Sequence, residues 1–212
     1  MTNPVIDYYY NLYSMSENLL PFETRSIKAY LCTWLGVEAE DLGGYTLPSD
    51  LTTNESIYDE LISLVMSKYQ NHANIRIRKS FYEGEPTTSE KANAVQEWAY
   101  KFIALLNDTH TYYVKVLSLY KDNESKLMDD IKATSKNKVK FNDTPQNSGS
   151  GSYEGDNYIT HFTSTEGENS SELNSKIMRL KEIQDNYRDM MSSWVRDFER
   201  IFYAEEIIWK SF

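Results

Sequence analysis

Three histidines, one cysteine and several close carboxylates are the side chains of this 212-residue sequence best suited to chemistry, and their spacing decides what they can do. His72, His110 and His161 lie far apart, with no His-x-x-x-His pair and no Cys/His cluster, so the spacing supports no metal site. Cys32 has no second cysteine to bond, and it falls among Ala29, Leu31 and Leu35 with no flanking base to favour a thiolate. It reads as an inert core thiol. Glu38, Glu40 and Asp41, the pair Asp129/Asp130 and the pair Glu205/Glu206 read as solvated helix ends or loops, because acid–base work on a glycosidic bond needs a cleft holding two carboxylates at a fixed separation. The glycines of "SGSGS" are followed by neither a lysine nor a helix in register, so they make a flexible stretch and not a phosphate loop. No catalytic residue, metal or cofactor is expected.

Composition points the same way. A formal net charge of −10 opposes general affinity for duplex phosphates, which depends on Lys and Arg releasing counterions. Two local exceptions stand out, Arg76/Arg78/Lys79 and Lys132/Lys136/Lys138/Lys140. The opening "MTNPVIDYYYNLY" has neither a basic region nor an apolar one, so no secretory signal is expected, and no apolar run reaches the length that spans a bilayer. Of the 17 tyrosines, seven gather in "DYYYNLYSM" and "THTYYVKVLSLY". Such rings serve either as core and rim packing or as the energetic centre of a protein interface.

The elements that must position these residues are mostly helical. With 40% hydrophobic and 14% aromatic residues and only 8 Gly, the chain favours long helices over turn-rich β structure. A first helix is expected from near Pro21 to Gly36, with Ile27, Tyr30, Leu31, Trp34 and Leu35 as its stripe. A second should start at Thr52-Thr53-Asn54-Glu55, with Thr52 as cap and Ile57, Leu61, Leu64 and Val65 buried. Between Asn74 and Phe81 apolar residues alternate with Arg76, Arg78 and Ser80, which is a short strand in need of a partner.

After the capping box Thr87-Thr88-Ser89-Glu90 no Gly or Pro occurs until Pro145, which predicts one very long helix. Within it Val95, Phe102, Thr109 and Val116 recur every seven residues, as do Trp98, Leu105, Tyr112 and Leu119, with Ala99, Leu106, Tyr113 and Tyr120 widening the stripe. The last helix should begin at Ser170 or Ser171, with Leu173, Leu180, Tyr187, Trp194 and Ile201 at the same spacing and Ile177, Ile183, Met190, Met191 and Phe198 in support. Matching stripes on two helices joined by a loop imply an antiparallel pair. The expected fold is therefore mainly α, a helical bundle built on a long antiparallel helical hairpin with a short β-ribbon or extended loop at its tip. Residues 1–133 and 170–212 form the bundle, and 134–169 are an interaction loop inserted between the long helices.

That loop is too specific for a linker. Val139 and Phe141 can extend opposite Tyr158, Ile159 and Phe162, and Asn142-Asp143-Thr144-Pro145-Gln146 makes a turn in which Asn or Asp bonds local amides and Pro fixes the backbone. A two-stranded ribbon of this kind is marginal alone and gains order by joining a partner's sheet or groove. At the carboxyl end Ile207, Ile208, Trp209 and Phe212 follow the completed stripe, and they either pack on their own domain or contact another chain.

"KFNDTPQN", an acidic-aromatic spacer, "YIT" and the Ser/Thr/Glu-rich run before the last helix together resemble a loop in virion proteins of tailed bacteriophages infecting low-GC hosts, namely head-to-tail connector components of the adaptor, ring or lower-collar type. The resemblance covers 138–202, and the continuation His161-Phe162 departs from the Asn-containing one of that group. It implies a non-enzymatic structural protein, a subunit of a connector ring between portal and tail whose 139–162 loop contacts neighbouring subunits. The partners implied are further copies of itself, about a dozen in a closed ring, together with the portal and other connector or tail proteins. DNA would pass through the lumen only as cargo. The implied location is the virion head–tail junction after synthesis in the host cytoplasm, with no membrane partner. The other reading is a soluble helical protein-binding module outside the particle.

Overall fold

The computed structural model describes residues 4–12, 26–69, 71–134 and 170–203. The elements are strand β1 (Val5–Tyr10), helix α1 (Ile27–Leu35), helix α2 (Glu55–Tyr69), strand β2 (Ile75–Ser80), helix α3 (Thr88–Thr134) and helix α4 (Ser170–Asp197), with short 3-10 turns at Ala39–Gly44, Phe81–Glu83 and Phe198–Ile201. The fold is mainly α, and α3 and α4 run antiparallel, with Trp98 bonded to Ile201 just past α4 and Thr109 to Trp194 within it. By compactness the chain divides into one unit of Met1–Leu119 with Tyr187–Phe212 and another of Tyr120–Asn186. The ribbon or loop expected over 134–169 lies, beyond Thr134, outside the described residues.

In the larger unit, α1 starts where Ser26, in extended conformation, accepts the Ala29 amide on its side chain, and it stops at Gly36, whose φ of 68° suits a residue without Cβ. The extended backbone at Ser26 corrects the expected start near Pro21: the helix begins at Ile27. Asp59 on α2 takes the Ile27 amide at 2.8 Å, so one helix caps another. The α1 stripe is as expected, with Ile27, Tyr30, Leu31, Trp34 and Leu35 all buried. At α2 the helix begins at Glu55, two residues later than a cap at Thr52 implied, and the Asn54 carbonyl, not that of Thr52, accepts from Ile57 and Tyr58. Leu64 is exposed, and Tyr58, Ile62, Met66 and Tyr69 join Ile57, Leu61 and Val65 in the core.

The strand over Asn74 to Phe81 finds its partner in the tyrosine cluster, because β1 pairs antiparallel with β2, Val5 opposite Ser80 and Tyr10 opposite Ile75. Aromatic residues favour such half-buried strands. The Thr87/Glu90 box forms as written: Glu90 accepts the Thr87 amide at 2.7 Å and Thr87 accepts the Glu90 amide at 3.3 Å. From there α3 runs for 47 residues.

Along α3 the seven-residue pattern holds only at first. Val95, Trp98, Phe102 and Leu105 are buried, but Tyr112 and Leu119 are exposed and Val114 and Leu117 take their places inside. A straight helix has about 3.6 residues per turn, so a seven-residue stripe rotates by ~20° each repeat and leaves the core after a few turns. Met191 and Trp194 on α4 and Phe198 in the turn after it are buried as expected, Val195 joins them, and Ile177 is exposed. The core is aromatic at its centre: Trp34 meets Trp98 edge-on at 4.9 Å and Phe102 at 5.3 Å, and Phe102 meets Phe198 at 4.9 Å.

Two outcomes follow from this packing. Trp98→Ala or Trp194→Ala should each cost about 3–5 kcal/mol, while Tyr112→Ala should cost well under 1 kcal/mol as an exposed change; urea unfolding measures all three. Equal losses at Trp98 and Tyr112 would contradict the helix faces described. The second concerns acid. The Lys79 ammonium at 2.8 Å, then the Thr87 amide and hydroxyl, hold the Glu90 carboxyl down at about 2 against an ordinary 4.5. Its contribution is complete above the ordinary value and is lost as pH falls from there through about 2. Glu90→Gln should therefore flatten the acid limb of stability over that window, read by thermal melts at stepped pH.

Candidate functional site

The most developed polar cluster in the larger unit is built by the 46–54 loop, α2 and α3. Asp50 is its centre. Its carboxylate accepts the Tyr58 hydroxyl at 2.6 Å and the Asn54 amide at 3.4 Å, and it lies 3.8 Å from His110 Nε2. His110 Nδ1 is 2.8 Å from the Asn107 carbonyl, and its Nε2 is 3.3 Å from Thr111 Oγ1. With the proton on Nδ1, that nitrogen donates to the carbonyl and Nε2 accepts from the threonine. The Ser118 hydroxyl donates to Asn54 at 3.2 Å, and the Asn107 amide donates to the Thr46 carbonyl at 2.7 Å.

An Asp beside a His invites comparison with a catalytic pair. The serine of the cluster bonds to Asn54, not to the imidazole, so no nucleophile–base contact is made. Burial first, and the Asp50 carboxylate second, push the Tyr58 hydroxyl far above its usual range, which keeps it a donor. Each bond joins the 46–54 loop to α2 or to α3, or stays within one element. The cluster holds a loop in place. Nothing in the sequence marks Asp50 as the partner of His110, because the two are distant along the chain and share no motif.

The remaining candidates resolve in the same direction. Cys32 is half-buried, and burial, then Glu38, raise its thiol above the ordinary value, against thiolate chemistry. Among the described residues no group of three His, Cys, Asp or Glu side chains is placed to hold a metal ion, and no helix is long and apolar enough to cross a membrane. Of the first basic group, Arg76 and Arg78 reach Asp7 at 2.6 and 3.4 Å, and Lys79 reaches Glu90 at 2.8 Å. Those cations face carboxylates of their own chain. The tyrosines of β1 act as packing: Tyr9 meets Tyr203 edge-on at 5.4 Å with the Arg76 guanidinium 5.9 Å from its ring, and Lys91 lies 4.7 Å over Tyr10.

In the smaller unit a groove of about 310 Å³ runs between α3 and α4. Leu127 and Ile183 line it together with Lys126, Asp130, Arg179 and Glu182. Gln184 donates to Glu124 at 2.8 Å across the same helix pair. The wall is too highly charged for a typical small-molecule pocket, which is mostly apolar with a few polar groups.

The residues expected to carry interaction, Val139, Phe141, Asn142, Asp143, Thr144, Pro145, Gln146, Tyr158, Ile159 and Phe162, lie outside the described residues, as do Ile207, Ile208, Trp209 and Phe212. Comparison with protein-family models, with curated proteins and with solved structures gave no match to this chain.

The Asp50 cluster yields an asymmetric expectation. Tyr58→Phe removes a donor from a carboxylate that water can reach, and should cost about 0.5–1.5 kcal/mol. Asp50→Ala leaves the buried Tyr58 hydroxyl without its acceptor and should cost about 1–3 kcal/mol, the larger loss. Chemical denaturation of the pair measures the order, and a reversed order would show that Asp50 is not the hub of the cluster.

Proposed function

We propose that this chain is a non-enzymatic structural protein of a tailed-phage virion, a subunit of an oligomeric ring in the connector between portal and tail. The resemblance of the 138–202 stretch supports the placement. The geometry that supports the structural reading is the antiparallel pair of long helices, with Thr109 on α3 bonded to Trp194 on α4 and Glu124 to Gln184. Because the two helices run in opposite directions, the chain leaves α3 at Thr134 and re-enters at Ser170 at the same end of the pair. In this reading residues 139–162, between the two helices in sequence, are the segment that gains order against a neighbour. Closing a ring sums many weak contacts of this kind.

The polar side chains around Asp50 support this reading through what they do. Tyr58, Asp50, Asn54, Ser118 and Asn107 tie one element to another. A helical binding module outside the particle draws on a different feature, the charged groove between Lys126 and Arg179. The two readings part on where the protein resides.

Quantitative mass spectrometry of purified particles should find the chain in multiple copies relative to the tail tip, at the stoichiometry of a closed ring. Removing 142–160 with a short Gly/Ser closure should leave the cooperative thermal transition of the bundle within a few degrees of the parent and abolish incorporation. A deletion variant that still enters particles would remove the loop from the assembly contact, and a chain absent from particles altogether would leave the binding-module reading.

A further inference from the structure

The outward face of α3 in the larger unit carries an order of its own. Lys101, Ala104, Asp108, Thr111, Tyr112, Lys115 and Leu119 are all exposed, and their spacing of three and four places them on one stripe of about 100°. Tyr112 is 61% and Leu119 54% exposed, large values for apolar side chains on a packed bundle. Neither Asp108 nor Lys115 forms an ion pair among the described residues. The stripe thus has two apolar anchors flanked by an unpaired acid and an unpaired base.

The order of these residues is self-complementary. A two-fold axis between Thr111 and Tyr112 sets Asp108 of one helix opposite Lys115 of the other. The same axis sets Ala104 opposite Leu119 and the Thr111/Tyr112 step against itself, so a small residue receives a large one and the Asp108–Lys115 pair forms twice. A parallel, in-register pairing does the reverse, with Asp108 against Asp108 and Lys115 against Lys115. Like charges placed directly together select against that arrangement. We infer that the Ala104–Leu119 face of α3 is an isologous contact for a second copy of this chain, packed antiparallel about that axis.

Size sets its strength. Ala104 to Leu119 covers roughly 22 Å of helix at ~1.5 Å per residue. One helix face of that length buries only a few hundred Å² per copy, below the ~800 Å² of a standard stable interface. The contact is therefore a reversible, concentration-dependent dimer of the free chain. A ring subunit uses heterologous contacts, whereas this one is two-fold, so the inference is independent of the connector reading.

Charge reversal at two exposed positions tests it without touching the core. In sedimentation equilibrium of the full chain, Asp108→Lys alone and Lys115→Asp alone should each dimerise roughly tenfold more weakly than the parent or worse, with unchanged thermal melts. An equimolar mixture of the two variants should regain association, since every Lys of one then faces an Asp of the other. The double variant Asp108→Lys/Lys115→Asp should dimerise like the parent. A mixture no more associated than its components, a parent that stays monomeric to millimolar concentration, or a parent dimer indifferent to both reversals would each overturn the proposal.

Discussion

The position of Trp194 is the constraint on which the larger unit depends. Its ring, fully buried, stacks on Tyr113 of α3 at 5.3 Å and meets Tyr58 of α2 at 5.8 Å, while its indole N–H donates to Thr109 Oγ1 at 2.8 Å. One side chain therefore fixes three helices. The Thr109 hydroxyl in turn donates to the Leu105 carbonyl one turn back, so the acceptor offered to the indole is held in place by the helix itself. A buried Trp loses stability unless its N–H is paired, and here the pairing also sets the rotation of α4 against α3. The contacts on either side follow: Tyr113 donates to Asp197 at 2.8 Å, with burial and then that carboxylate pushing its hydroxyl up to about 12, and Tyr187 donates to Glu60 of α2.

The opposite end of the same core is held less completely. Trp98 donates its indole N–H to the Ile201 carbonyl at 3.2 Å, which secures the turn after α4. Trp34 is as deeply buried, yet among the described residues its indole nitrogen has no hydrogen-bond partner, and the buried Asn74 amide is unpaired at both atoms. Each such group costs about 1–3 kcal/mol. Aromatic packing offsets this at Trp34, which contacts Tyr30, Trp98 and Phe102. At Asn74 the main chain does the structural work: its N–H donates to the Tyr10 carbonyl, next to the bridge between Ala73 and Tyr203.

Much of this was legible in the sequence, and the reasons are local. Signals confined to a few residues, the Thr87/Glu90 box, the Gly36 stop and the alternation of β2, appear where the spacing put them. The stripe of α1 was complete because a helix of 9 residues is too short for periodicity to drift. What depended on pairing across long separations was not legible. Nothing in "DYYY" announced a strand until β2 was there to receive it, and the Asp50–Tyr58–His110 grouping has no motif. The proposed interaction residues from Val139 to Phe162 were singled out by composition and resemblance, which speak to recognition and not to geometry.

The departure at Tyr112 and Leu119 is of another kind, because there the sequence keeps a regular pattern that its own fold does not use. Up to Leu105 the seven-residue repeat and the helical turn agree, and the side chains are buried. Beyond it the helix carries the repeat round to solvent while Val114 and Leu117 fill the core. Exposed apolar residues are ordinary when they are scattered. These two share one stripe with Asp108 and Lys115, residues of opposite charge spaced by the same seven positions. The long helix of this chain therefore has two faces with different periods, one matched to its own bundle and one matched, through its charge order, to a copy of itself running the other way.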